Sequence, residues 1–426
     1  MTRQRLPRSL PLALTALLLL GACGTTTTDG RTSSEPNPAP TTEAPREVSA
    51  LAPRALVAHQ GGLVLIDTES GELLDEIADD TFVRLSEAGD GRHVAVADST
   101  GFQLYDTGVW SEGHGDHSHR YVSTPGLTDV VRSAEKAGHV VVNAGHTTFF
   151  ADGTGEITTV PTAEVADPDA TAEVQRTEAP HHGVALQLSD DTLLTTQGTA
   201  EERRTVQVRD GDDLVTETNA CPGVHGETTA APTDDGDVVV LGCENGPVIL
   251  RDGTFHKVPV DEAYARTGNL AGHPDSAVVL SDWKTDPDAE LERPTEIALI
   301  DTRTDSLRTV DLGSAYWFRS LARGPHGEAV VLTYDGSLRV LDEESGREVS
   351  RIDAIKPWKE NKDWQQPGPV LRVVGHLAYV TDASTDELVV VDLAKGRVVD
   401  RWKLPGAAVE LVVTTGIPAE EHGHEH

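Results

Sequence analysis

Aromatic residues make up only 4% of this 426-residue chain, and basic residues are outnumbered by acidic ones, 35 against 70. The first shortage leaves little material for a sugar platform built of stacked rings. The second, a formal net charge of −35, argues against a nucleic-acid partner, whose phosphates would be repelled at any distance that salt does not screen. The same excess of acid suits solubility in a secreted protein and attraction of cations. Past residue 22 no apolar run is long enough to span a bilayer. Long helical patterns are absent too: "PTAEVADPDATAEV" carries prolines and acids and reads as loop.

What the chain does have begins at its start. Arg3, Arg5 and Arg8 precede "LPLALTALLLL", which reads as a secretory signal over residues 1–22. "LGAC" resembles the bacterial lipobox, so Cys23 is expected to carry the lipid that tethers the protein to the membrane surface. Residues 23–50 are rich in Thr, Ser, Pro and Glu and have almost nothing to bury, the composition of a flexible linker. Residues 417–426, with His422, His424 and His426, form an equally unstructured tail suited to weak, fast metal capture or to no task. The remaining cysteines, Cys221 and Cys243, are expected to pair as a disulfide in an oxidising compartment and to contribute roughly 3 kcal/mol.

Between these ends one pattern repeats: an apolar strand, an Asp, a short turn often with Gly, and a second strand. "LVLIDTESGELLDEI", "EIALIDTRTDSLRTV" and "ELVVVDLAKGRVVDRW" are three of eight copies, punctuated by Asp67, Asp106, Asp152, Asp210, Asp252, Asp301, Asp342 and Asp392. The acids lie from 39 residues apart (Asp67 to Asp106) to 58 (Asp152 to Asp210), close to the ~40–50 of a four-stranded propeller blade. A second hairpin precedes most copies, so each unit reads as a four-stranded antiparallel blade. The first unit lacks its innermost strand, and "AAVELVVTTG" near the end supplies one. The expected fold is therefore all-β: an eight-bladed propeller over residues 51–416, with seven blades as the alternative, closed by pairing of the N- and C-terminal strands.

Histidine falls at three successive crossings between blades. "EGHGDHSHRYVSTPG" holds His114, His117 and His119, "EAPHHGVAL" holds His181 and His182, and "CPGVHGET" holds His225. At one structural address on neighbouring blades, these imidazoles are expected to converge on a metal. Zinc takes a tetrahedral set of imidazole nitrogens and carboxylate oxygens at ~2.0–2.2 Å. Copper and nickel also accept imidazole. His117 and His119, two apart on an extended segment, project to one side; His182 or His181, and His225, would complete the set. Asp116 and Glu227 are the nearby acids, as ligands or as acceptors orienting an imidazole. The isolated His59, His93, His139, His256, His273, His326 and His376 read as strand-end or turn residues. Trp317, Trp358 and Trp364 read as packing residues.

"VWSEGHGDHSHRY", "APHHGVAL", "CPGVHGE" and "LGCENG", in that order, resemble the AztD family of zinc metallochaperones. The resemblance implies an extracytoplasmic propeller that binds Zn2+ and hands it to the solute-binding protein of a zinc ABC importer. It assigns metal binding to the His114–His119 segment, to His181 and His182, and to His225. The segment after the signal lacks the His/Asp richness expected of the family, and the tail "HGHEH" is the stand-in. Two rival classes remain: a lactonase-type propeller hydrolase, and a non-catalytic surface scaffold. The first would need a carboxylate-rich channel site, and no run of acids marks these crossings; nor does a serine stand in a nucleophile elbow.

Overall fold

The computed structural model describes residues 44–115 and 117–418. Cys23, Asp116, His422, His424 and His426 lie outside them. Among the described residues nearly all regular structure is strand, and the one helical element is a single 3-10 turn at Thr162–Glu164. No helix among them is long and apolar enough to cross a membrane.

Eight four-stranded antiparallel sheets follow one another along the chain. The first comprises Arg54–His59, Gly62–Asp67 and Leu73–Ala78 with Ala408–Thr414 added at its inner edge. The second contains Arg84–Glu87, His93–Ala97, Gly101–Asp106 and Gly126–Ser133, and the third runs from Ala137–Asn143 to Glu173–Arg176. The other five begin at Ala185–Gln187, Glu227–Thr233, Leu270–Ala271, Leu321–Arg323 and Leu371–Val374.

Sequence composition tracks position within each sheet. Second and third strands such as "GLVLID" are almost wholly buried, because both faces of the sheet are covered, and they read as continuous runs of Val, Leu and Ile. Fourth strands such as "LLDEIA" face solvent in part and mix acids with apolar residues. The recurring Asp is a turn-former at Asp67, Asp106, Asp301, Asp342 and Asp392. Asp67 Oδ1 accepts the backbone N–H of Glu69 and Ser70, and Gly71 follows at φ +74°. Asp342 and Asp392 repeat the arrangement with Ser345 and Lys395.

The core lies between successive sheets. Leu56, Leu65, Val94 and Tyr105 pack between the first and second; Phe102 meets Phe149, ring centroids 5.1 Å apart, between the second and third. The eighth packs on the first through Val57, Tyr379 and Leu388. Each such buried side chain stabilises the fold by about 1.5–3 kcal/mol. The final strand Ala408–Thr414 pairs with Arg54–His59, with Ala55 opposite Val413 and Val57 opposite Leu411. Inner strands of neighbouring sheets also touch: Ala408–Thr414 lies against Arg84–Glu87, and Ala137–Asn143 lies against both Arg84–Glu87 and Ala185–Gln187.

The second sheet departs from the expected register. Gly126–Ser133, which follows the first histidine-rich stretch, is the outermost strand of the second sheet and pairs with Gly101–Asp106. The histidine-rich stretch is therefore not a crossing between sheets. It is a hairpin, Val109–His114 with His117–Val122, inserted before that outer strand. Arg46–Val48, which composition assigned to the linker, adds a third strand to this hairpin.

Candidate metal centres

The chain reverses after His114, where Gly115 has φ +68°, the left-handed conformation that a tight hairpin turn favours. The hairpin's register sets His114 opposite His117 and Glu112 opposite His119. Because side chains alternate along a strand, the three imidazoles share one face. Ring centroids are 5.4 Å apart for His114 and His117, 6.0 Å for His114 and His119, and 5.1 Å for His117 and His119. One nitrogen from each lies within 4.8 Å of the others. His114 and His117 are exposed; His119 donates from Nδ1 to Glu47 Oε1 at 2.6 Å, so the third strand steadies one imidazole.

A second group lies where the third, fourth and fifth sheets meet: His139, His182 and His225. Centroid distances are 5.0, 5.8 and 5.1 Å for the 139–182, 139–225 and 182–225 pairs. Each ring has its Nδ1 on an acceptor: His139 on Glu227 Oε1 at 3.1 Å, His182 on Asp152 Oδ2 at 2.6 Å, His225 on the Gly268 carbonyl at 2.9 Å. A carboxylate or carbonyl only accepts, so Nδ1 carries the hydrogen and the Nε2 lone pair is left for a metal. One nitrogen from each ring lies within 4.8 Å of the others. A tetrahedron with zinc–nitrogen bonds of ~2.0 Å sets them roughly 3.3 Å apart, so binding draws the rings slightly inward.

The neighbouring structure keeps these rings in place. An added Cβ at Gly138 would lie 2.2 Å from Asp152 Oδ1, so the missing side chain is what lets Asp152 approach. His225 follows a segment tied down by the Cys221–Cys243 disulfide. Its backbone N–H donates to Gly242 O at 3.0 Å, beside Cys243, and Gly242 N–H returns to Gly226 O at 3.1 Å. Asp282, buried, accepts the N–H groups of Gly268 and Asn269 and so holds the carbonyl that orients His225. Burial, reinforced by the neighbouring His139, pushes the His225 pKa down to about 3, which keeps its imidazole neutral. For His139 burial opposes protonation, but Glu227, by charge and hydrogen bond, outweighs it and raises the pKa above the ordinary value.

Five of the six imidazoles expected in one cluster thus fall in two groups, three on the hairpin and two with His139. Of the adjacent pair, His182 enters the inner group and His181 does not. His181 is buried with Nδ1 on the Ala179 carbonyl and Nε2 on Thr196 Oγ1 at 2.9 Å each, so neither nitrogen is left for a metal. His139 takes the third place. In sequence it reads as an isolated strand-end or turn residue; in the structure it lies within Ala137–Asn143, whose pairing shifts between Ala137 and Val140. Such a bulge re-aims side chains, and a period-two reading does not register it. The one sequence signal was glycine beside histidine in an otherwise apolar strand, "AGHVVV".

No family model matches the chain. Zinc chaperone AztD of Citrobacter koseri is 24% identical over 340 residues, 75% of this chain and 76% of that protein. The structure of apo AztD from Citrobacter koseri superposes with a TM-score of 0.72 at 20% identity, covering 86% of this chain and 98% of that one. A second crystal structure of Citrobacter koseri AztD gives 0.71 with the same coverage. The dihydro-heme d1 dehydrogenase NirN in complex with DHE is more distant, at 0.52 and 13% identity over 85% of this chain and 75% of that one. In sequence over three quarters of its length, and in fold over more, this chain is similar to AztD.

Proposed function

We propose that the protein is an extracytoplasmic zinc chaperone that holds Zn2+ on His139, His182 and His225 and passes it to the solute-binding protein of a zinc ABC importer. The observation that carries this reading is the inner trio, one imidazole from a strand of the third sheet and two from the segments leading into the fourth and fifth, with every Nδ1 held by an acceptor. Similarity to zinc chaperone AztD supports the choice of metal and role. The donors suit zinc, since calcium and magnesium prefer oxygen-only shells.

The two groups divide the work. On the exposed hairpin, His114, His117 and His119 capture zinc and exchange it quickly. The inner trio, oriented beforehand, holds it more tightly while leaving a fourth position open. An incoming donor occupies that position as an imidazole leaves, so zinc changes hands without being set free. His422, His424 and His426 add transient capture; Asp116 assists at the hairpin turn.

On this reading the eight sheets are the blades of a closed eight-bladed propeller. The shared apolar clusters between successive sheets and the contacts between inner strands support it. Residues 1–22 are removed as a signal peptide, Cys23 is lipidated, residues up to about the first strand tether the domain to the membrane surface, and the disulfide fits that oxidising location. Metal transfer, not catalysis, is the task.

Elemental analysis of untagged protein from its native compartment, with a chelator-competition titration, tests the reading. It predicts bound zinc, and loss of the tighter site in H139A/H182A/H225A. Metal-free protein indifferent to chelator, or zinc-dependent lactone hydrolysis, would replace it with the scaffold or the hydrolase.

A further inference from the structure

We infer that the fourth position of the inner trio is built for an anionic donor, a carboxylate of the acceptor, and that Arg203 and Arg266 are the residues that select it. This rests on the zinc-binding reading above.

Both arginines attach to the supports of His225. Arg203 donates from Nε to the carbonyl of Val224, the preceding residue, at 2.8 Å. Arg266 lies over Gly268, where an added Cβ would be 3.0 Å from its Nε, and the Gly268 carbonyl receives the His225 Nδ1–H. The two are close enough to feel each other: after burial, the charge of Arg266 is the next cause lowering the Arg203 pKa. Glu244 is the carboxylate paired with Arg266, 3.6 Å from its Nη1. All three side chains are half-buried or partly exposed.

The local charge then decides the incoming ligand. With zinc bound, Asp152 and Glu227 behind two of the imidazoles balance its double charge. Lys284, 3.8 Å from the buried Asp282 carboxylate, balances that charge, Glu244 balances one guanidinium, and the other guanidinium is left over. A site with one unbalanced positive charge draws in a carboxylate and gains nothing comparable from a neutral imidazole. The chain's overall −35 opposes anions only at long range, and at ~0.1 M salt charges beyond roughly 10 Å are screened, so the nearby pair governs the last approach.

The test follows zinc removal from the inner trio, in a chain whose hairpin imidazoles are replaced (H114A/H117A/H119A). Two acceptors are compared: nitrilotriacetate, an anionic aminocarboxylate, and 1,10-phenanthroline, which is uncharged. The R203Q/R266Q variant is expected to lose zinc to nitrilotriacetate about tenfold more slowly, at an unchanged rate to phenanthroline, with R203K/R266K restoring most of the difference. All rates are compared at one KCl concentration, since added salt screens the overall −35 that repels nitrilotriacetate as well as the arginines that attract it. Equal effects on both acceptors, or no effect on either, overturn the inference while leaving zinc binding intact. A chain that holds no zinc at the trio overturns both readings.

Discussion

Glu227 takes the Nδ1–H of His139 on one carboxylate oxygen at 3.1 Å, while its other oxygen, Oε2, is buried with no hydrogen-bond partner among the described residues. A carboxylate kept half-satisfied this way is a strong acceptor, and it makes the imidazole a better donor to metal. E227Q keeps the size and one acceptor oxygen but removes the charge. Zinc affinity at the inner trio is expected to fall ~10–100-fold, read by competition against a chromophoric chelator. An unchanged affinity would mean that Glu227 only fills space.

His139 and His181 are expected to differ in what they do for zinc. H139A removes a donor and should abolish the tighter zinc site, and it should lower the melting temperature as well because the buried Glu227 carboxylate loses its hydrogen-bond donor. H181A leaves the Ala179 carbonyl and Thr196 hydroxyl without their partner, so it should cost about 1–3 kcal/mol of stability and leave zinc affinity close to normal. Calorimetric titration and thermal melts on the two variants separate the outcomes; a loss of zinc binding in H181A with the fold intact would return it to the metal site.

Replacing His117 and His119 together with alanine should lower the zinc stoichiometry from two to one and leave the melting temperature unchanged, since both stand on a hairpin that packs outside the sheets' cores. The lost equivalent should be the weaker, faster-exchanging one. Titration at pH 7.5 with and without the substitutions reads both quantities.

Reducing the Cys221–Cys243 bond, or replacing both residues with serine, loosens the segment that presents His225. Stability should fall by roughly 3 kcal/mol, and zinc affinity at the trio should fall with it. Restoring affinity by reoxidation, followed by free-thiol assay, ties the two effects together.

How far the sequence carries is clearest at particular residues. Punctuating acids such as Asp67 were legible because turn chemistry is local: Asp67 holds N–H groups two and three residues on, and no distant contact is needed. The missing inner strand of the first sheet was legible from the same bookkeeping of strands. The hairpin at residues 109–122 was not, because its insertion between two strands of one sheet leaves the alternation intact while moving Gly126–Ser133 outward. His181 and His182 lie side by side ahead of Ala185–Gln187, outside any strand, where no alternation of side chains says which of them faces inward. Only the Thr196 and Asp152 contacts decide it. His139 needed the third dimension altogether, since its partners are 43 and 86 residues away in sequence, at His182 and His225.

The marriage of Ala408–Thr414 to Arg54–His59 also governs how this molecule can be made. A polypeptide delivered N-terminus first exposes three strands of its opening sheet and must hold them, unfinished, until more than three hundred further residues have arrived. The last strand to be synthesised completes the first unit begun. A nascent chain therefore holds its first sheet at three strands until Ala408–Thr414 arrives, and a cut that removes that strand leaves Arg54–His59 with an open edge.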